Sequence, residues 1–257
     1  MKKYSITIGW LYPELMSTYG DRGNIITLTK RCEWRDIQVE TLKLDVGFKV
    51  SELEKCNLLF MGGAQDTQQK IVAEDLKKKS TVLKKMIEDG VPGLYICGAY
   101  QFLGNYYKEA DRTIIKGLEI LDVHTENPGQ KAERLIGNIS VEFRNPQKTT
   151  SEQFVMNTHV LVGFENHGGR TYLGKGVLPM STVLQGYGNN GMDKTEGAEY
   201  KNSFGTYLHG PILPKNPDFA DLLITLALEK KYGELGNLKT LDDSLEILAK
   251  ESILKKI

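Results

Sequence analysis

The chain predicts an α/β fold, a mainly parallel sheet with crossover helices that carries a mixed or antiparallel β extension. Three observations predict it. Up to Ile96, short apolar runs alternate with longer amphipathic ones. Two of the short runs, Leu58 to Met61 (LLFM) and Leu94 to Ile96 (LYI), are almost unbroken in their apolar character, as strands buried on both faces must be. Beyond Gly117 the pattern changes to short strand-like segments set among Gly, Asn and Thr.

Ser5 to Trp10 (SITIGW) reads as the first strand, Asn24 to Glu33 as the first helix and Val39 to Leu44 as the second strand. Leu58 to Met61 follows, then a helix over Lys77 to Glu88, ended by Gly90 and Pro92, then Leu94 to Ile96. This β-α-β-α order implies right-handed crossovers and places ligands beyond the C-terminal ends of the strands. Gly117 to Asp122, Gly137 to Phe143, Val160 to Glu165 and Ser203 to Leu208 read as strands of hairpins or of a mixed sheet on the same domain. After Pro217 a helix runs from Asp218 to Tyr232, its apolar positions being Phe219, Leu222, Leu223, Leu226 and Ala227. A polar-faced helix near Asp242 to Lys256 closes a helical tail over about 234–257, peripheral or facing a partner. Neither repeats nor a low-complexity linker divides the 257 residues, so one domain over 1–257 is expected.

Composition narrows the function classes. Apolar residues make up 40% and charged residues 26%, the balance of a soluble globular protein. Lys plus Arg and Asp plus Glu both number 33, so no basic excess draws the chain to nucleic acid or anionic lipid. The N-terminal apolar run stops at Pro13 and Glu14, too early for a signal peptide, and nothing approaches the roughly 18 to 20 apolar residues of a membrane span. A cytoplasmic location is expected. Cys32, Cys56 and Cys97 are odd in number and widely spaced, which fits neither a disulfide framework nor a CxxC metal site.

Cys97 stands apart from the other two. It follows the buried run LYI and precedes Gly98 and Ala99, after which a helix is plausible. A nucleophile elbow needs this layout, because a sharp strand-to-helix turn holds the reactive side chain in strained backbone that only small neighbours allow. The helix start aims free N–H groups at the sulfur and favours thiolate. Cys32, inside a helix, and Cys56, just before a strand, read as small buried residues.

A cysteine nucleophile needs a base, and the chain offers His124, His159, His167 and His209. None are spaced for zinc. His209 ends a short apolar strand in His-Gly-Pro and so lies at the sheet edge that also carries Cys97. His167, in GFENHGGR, is the rival base or simply part of a tight turn. The residue two after His209 is Pro211, so any third member of a triad comes from elsewhere, or the site runs as a Cys/His dyad. The nearest approach to a Walker A loop, Gly188 to Thr195, has Asp193 in place of the required glycine and is rejected as an ATP site.

Five ordered motifs carry a resemblance: Tyr19-Gly-Asp-Arg-Gly-Asn24, Phe60-Met-Gly-Gly-Ala-Gln-Asp66, Ile96-Cys-Gly-Ala-Tyr-Gln-Phe-Leu-Gly104, Gly163-Phe-Glu-Asn-His-Gly-Gly-Arg-Thr-Tyr172, and Gly205 to Asn216 around His209. In these the chain resembles the class I glutamine amidotransferases, in the branch that includes cobyric acid synthase and the GatD-type subunits of lipid II isoglutaminyl synthase. Tyr95 and Ala99 stand where that family commonly has glycine. The resemblance implies a flavodoxin-like three-layer sandwich. It implies L-glutamine as substrate, with Cys97 as nucleophile and His209 as the base that takes the thiol proton. Gly62, Gly63 and Gly98 would supply oxyanion N–H groups. Arg134 would grip the glutamine α-carboxylate, Gln101 and Tyr207 would help orient it, and Asp21 and His167 are possible accessory residues.

No cofactor is expected in this chain. By the same resemblance ATP and Mg belong to a Mur-ligase-like MurT partner in a heterodimer, which would amidate lipid II with the ammonia released here. Two other readings stay open: a glutaminase domain for cobyrinate-type amidation or a free-standing Cys/His hydrolase, and a catalytically silent binding subunit.

Overall fold

Four parallel strands ending at one level set the architecture. The computed structural model describes residues 4–64, 66–145, 148–149, 156–235 and 238–257. Met1 to Lys3 of the N-terminal segment and Gln65 of the Phe60 to Asp66 motif lie outside the described residues. The first half of the chain runs β1 (Ser5–Leu11), α1 (Arg22–Glu33), β2 (Gln38–Leu44), α2 (Val50–Leu53), β3 (Leu58–Met61), α3 (Asp66–Lys77), α4 (Ser80–Glu88), β4 (Gly93–Ile96) and α5 (Gly98–Leu103). Then follow β5 (Tyr106–Lys108), β6 (Ile114–Lys116), β7 (Val123–Glu126), β8 (Leu135–Phe143), β9 (Val160–His167), β10 (Arg170–Leu173), β11 (Ser181–Gln185), β12 (Thr195–Glu196), β13 (Ala198–Tyr200) and β14 (Ser203–Thr206). Helices α6 (Pro217–Tyr232) and α7 (Ser244–Leu254) end the chain.

The main sheet has the order β13-β14-β4-β3-β1-β2, parallel throughout except for the antiparallel edge strand β13. Alternation along each strand feeds two cores. On one face Ile6, Ile8, Leu58, Phe60, Leu94 and Phe204 pack with residues of α1 and α6. On the other, Leu59, Met61 and Tyr95 pack with α3, α4 and α5. Two four-stranded sheets, β10-β7-β5-β6 and β12-β11-β8-β9, form the expected extension. The predicted three-layer α/β architecture is the one observed.

Several elements depart from the sequence reading. Helix α4 begins at Ser80, and the residues before it form a separate helix, α3, that the spacing did not reveal. Gly117 to Asp122 is not a strand. Its amides turn back onto the end of α5, Leu118 donating to Phe102, Glu119 to Gly104, and Ile120 and Leu121 to Leu103, all at 2.8–2.9 Å. It therefore satisfies carbonyls that a helix terminus leaves open, and no ladder remains for it to join. The last strand stops at Thr206, leaving Tyr207 to His209 as a loop. Nor is the outer face of α7 polar: Leu245, Ile247, Leu248 and Leu254 are exposed on it.

A buried ion network ties α1 to the C-terminal third. Arg31, 1% exposed, bonds both oxygens of Asp221 on α6 at 2.6 and 2.7 Å and reaches Asp243 at 2.6 Å, while Arg35 shares Asp221. Such a network is destabilising to break from one side, because the remaining carboxylates stay desolvated. Arg31→Ala is expected to lower unfolding stability by about 3–5 kcal/mol in urea titration. A loss under about 1 kcal/mol would mean the network contributes nothing net.

Candidate active site

The main sheet's register brings the loops of the site together. Leu11 pairs with Met61, Met61 with Tyr95, and Ile96 with Thr206, so β1, β3, β4 and β14 end side by side. The residues that emerge there are Gly62, Cys97 and, three positions after Thr206, His209; the turn ahead of α1 adds Asp21.

Cys97 sits between β4 and α5 at φ 51° and ψ −104°. This lies outside the left-handed helical basin and is strained for any side-chain-bearing residue. Its N–H donates to Thr206 O at 2.8 Å and its carbonyl accepts from Gln101 N–H at 2.9 Å, which pins both sides of the strained residue. Gly98 sits in close quarters, since a Cβ there would stand 2.9 Å from Nε2 at the end of the Gln69 side chain and 3.3 Å from Ala64 N. Tyr95 points away from the elbow into the core, over Gly93, where a Cβ would come within 2.6 Å of its ring. Ala99 is buried in the same core. Cys32 and Cys56 are buried thiols pushed up to about 12 by desolvation, whereas Cys97 is only half-buried.

His209 is held by its backbone, which exchanges two hydrogen bonds with Phe164 of β9. Its ring is completely buried, with Nδ1 3.6 Å from Asp21 Oδ1 and the Tyr19 ring packed edge-to-face with it, centroids 5.0 Å apart. Burial opposes the imidazolium, but Asp21 and Cys97 outweigh it and carry the histidine up to about 10. Gly63 lies among all three groups. A Cβ on it would fall 3.0 Å from His209 Cε1, 3.4 Å from Cys97 Cβ and 3.6 Å from Asp21 Oδ2.

The structure redistributes the other expected roles. The Gly63 N–H donates to Asp21 Oδ2 at 2.7 Å, so it does not face a substrate oxygen. Gly62 packs its α-carbon against Met16 O and Asp21, with no room for a Cβ. Ala64, next along the loop, is the residue whose nitrogen approaches Gly98. Gln101 donates its amide to the Tyr207 hydroxyl at 3.0 Å, and that hydroxyl meets Thr171 Oγ1 at 2.6 Å, so the two side chains join a buried polar network. His167 stacks on Tyr207 at 3.7 Å and gives its Nδ1 proton to Gly169 O at 2.8 Å. Desolvation lowers it to about 3, which favours a neutral packed ring.

Arg134 lies exposed beside the site, bonded through Nε and Nη2 to Asn166 Oδ1 and O at 2.9 Å. Asn166 Nδ2 continues to the Tyr19 hydroxyl at 2.8 Å, and the Tyr19 ring covers His209. Sequence reasoning passed over Tyr19 and Asn166 although both stand inside motifs it singled out. It also missed Glu196, which no motif marks. This buried acid accepts from Tyr207 N at 2.7 Å and Thr206 Oγ1 at 2.8 Å, and so braces the segment leading to His209. Burial raises Glu196 to about 8, with the two hydrogen bonds opposing, and its buried neighbour Glu165 to about 7.

Among the described residues no group of three or more His, Cys, Asp and Glu side chains is arranged to hold a metal ion. The Gly188 to Thr195 loop closes on itself. Asp193 Oδ1 accepts from Thr195 N and Oγ1, and Asn190 Oδ1 accepts from Met192 and Asp193 N–H. No helix of the described residues is long and apolar enough to cross a membrane.

A thiol on a strained elbow, a buried histidine and a glycine loop at one edge of a parallel sheet define a class of amide-cleaving enzymes. The chain belongs to the CobB/CobQ-like glutamine amidotransferase family, whose domain matches residues 7–217. Within it, the chain is 42% identical over 253 residues to the GatD subunit of lipid II isoglutaminyl synthase (glutamine-hydrolyzing) from Staphylococcus aureus strain N315, covering 98% of this chain and 96% of that protein. The GatD subunit of Streptococcus pneumoniae strain R6 is 38% identical, over 94% of this chain and 88% of its own. A Thermotoga maritima glutamine amidotransferase structure shares the fold at TM-score 0.53 and 17% identity, with 98% of this chain and 94% of that one aligned.

Two outcomes follow from this geometry. Gly63→Ala is expected to cut turnover at least about tenfold with little change in melting temperature, because the added methyl meets His209 and Cys97; near-normal turnover would show that the loop yields freely. The second concerns pH. Glu196 is raised in the fold from 4.5 to about 8, so its neutral form stabilises fully below pH 4.5 and that contribution is lost as pH rises toward 8. Glu196→Gln, a mimic of the neutral acid, should match the parent at pH 5 and exceed it at pH 8. The gap should grow by at most about 1.4 kcal/mol per pH unit in urea unfolding. Parallel stability curves would contradict a buried neutral acid.

Proposed function

We propose that this chain is the glutamine-hydrolysing subunit of a lipid II isoglutaminyl synthase. The observation that carries the reading is the strained Cys97 elbow beside the buried His209, in a chain similar to GatD subunits over nearly its whole length. Cys97 attacks the side-chain amide carbon of L-glutamine. His209 accepts the thiol proton and returns it to the leaving nitrogen, so ammonia departs and a glutamyl thioester remains. Water, activated by the same histidine, hydrolyses the thioester to glutamate. The oxyanion is received by the N–H of Gly98, at the start of α5, with that of Ala64 replacing the occupied Gly63.

Arg134, exposed at the rim, pairs with the glutamine α-carboxylate through the Nη end of its guanidinium that faces away from Asn166. The ammonia passes to a MurT-like Mur ligase, which binds ATP and Mg, activates the α-carboxylate of D-glutamate in the lipid II stem peptide and converts it to isoglutamine. The exposed apolar residues of α7 and the exposed rim leave ample surface for such a partner.

Ammonia release from glutamine, with and without a MurT-like ligase, tests the reading. Cys97→Ala should abolish release and His209→Ala should lower it by about 10³-fold or more. Release unchanged in Cys97→Ala would defeat the thioester route, and amidation of lipid II unaffected by loss of this chain would defeat the assigned acceptor.

A further inference from the structure

Helix α1 does not fill the space above the sheet face it covers. Trp10 of β1 pairs with Lys43 of β2, and Ile8 with Thr41, so these side chains share that face. Between them and the stretch of α1 from Arg22 to Lys30 lies a cavity of about 260 Å³. It sits at the margin of the sheet, since β2 is the outermost strand. Trp10 and Ile25 are buried in its wall, and Ile26 is half-exposed beside them. Three cations, Arg22, Lys30 and Lys43, line it together with no acid. Glu40 of β2 belongs to the opposite face, beside Cys56. Lys30 shares its charge with Glu33 at 2.7 Å, whereas Arg22 and Lys43 have no ion pair among the described residues. Lys43 Nζ stands 6.0 Å from the centre of the Trp10 ring, at the outer limit of a cation–π contact, so little of its charge is spent there.

A second observation is independent of charge. The Trp10 indole N–H is buried and has no acceptor among the described residues. A buried donor left without an acceptor is costly, and nearly all such donors have one. On the wall of a cavity, a polar atom of a ligand is the acceptor that is missing.

We propose that this cavity between α1 and the β1–β2 margin binds a small aromatic anion, one ring carrying a carboxylate or a phosphate. The ring lies against Trp10, Ile25 and Ile26, the anion faces Arg22 and Lys43, and one polar atom accepts from the Trp10 N–H. Size sets the class. The volume lies below the roughly 300–1,000 Å³ of pockets for drug-sized ligands and above the roughly 150 Å³ that encloses a benzene, so it suits one ring with a short substituent. Strand β3 separates β1 from β4, which carries the Cys97 elbow, so the inference stands apart from the glutamine chemistry and is read without turnover.

Trp10 is its own reporter. The other tryptophan of the chain, Trp34, is half-exposed, and Trp34→Phe leaves Trp10 as the sole indole emitter. Benzoate and phenyl phosphate, titrated into that full-length variant, should change the emission saturably with Kd at or below about 1 mM, and the tighter of the two identifies the anion. Benzyl alcohol, a ring without charge, and inorganic phosphate, a charge without a ring, should each bind at least about tenfold more weakly. Lys43 is exposed, so Lys43→Gln keeps the fold and should weaken the tighter probe about tenfold. Trp10→Phe keeps a ring but removes the N–H, and in calorimetry should weaken it about fivefold or more. If Trp10→Phe does not fold, Lys43→Gln decides. No saturable change up to about 20 mM, equal binding of benzyl alcohol, or undiminished affinity in Lys43→Gln would each overturn the site. So would loss of probe binding once a MurT-like ligase is added, which would make the cavity part of a subunit contact.

Discussion

The amide of Cys97 donates to the carbonyl of Thr206, and this bond extends the β4–β14 ladder one residue past the end of β4. Much else follows from it. With the Cys97 carbonyl held by Gln101 N–H, it pins the cysteine at its positive φ just ahead of α5, and it sets β14 at the height from which three further residues reach His209. The antiparallel bridge between Phe164 and His209 then joins the parallel sheet to the β8–β9 extension. Nucleophile and base are thus held by two different sheets that meet at a single strand end.

The site also sorts buried ionisable groups by what surrounds them. His167 gives its proton to a carbonyl and is desolvated to neutrality, whereas His209 has a carboxylate and a thiol beside it and is driven toward the cation. Glu165 and Glu196 rest on backbone N–H and hydroxyl donors, with no cation in hydrogen-bond contact among the described residues, and desolvation raises both. Two histidines of the same type therefore behave oppositely within one small region while two acids near them are held toward neutrality, which is how a protein keeps charge only where a reaction uses it.

Much of this was legible in the chain itself. The continuous runs LLFM and LYI, the small residues after Cys97 and the His-Gly-Pro end announced a parallel sheet with chemistry at its C-terminal edge, and these signals are local. What stayed hidden was non-local or locally ambiguous. Helix α3 is rich in Gln, Lys and acids, and among its described residues Val72 and Leu76 are the buried apolar ones, a short signal to read against a mostly polar composition. Gly117 to Asp122 looks like a strand by composition but spends its amides on the end of α5. The pairing of Gly63 N–H with Asp21 joins residues 42 positions apart, and only the fold reveals that an N–H suited to an oxyanion is already occupied.

The Tyr95 side chain over Gly93 has a further consequence. Glycine at 95 would leave a tyrosine-sized void in the core behind the elbow. Placing any side chain at 93 would strike the ring. The two positions form one unit, so a chimera or a directed-evolution library that exchanges this strand must move both together, and its neighbours on the same face with them, or lose the platform on which the cysteine stands.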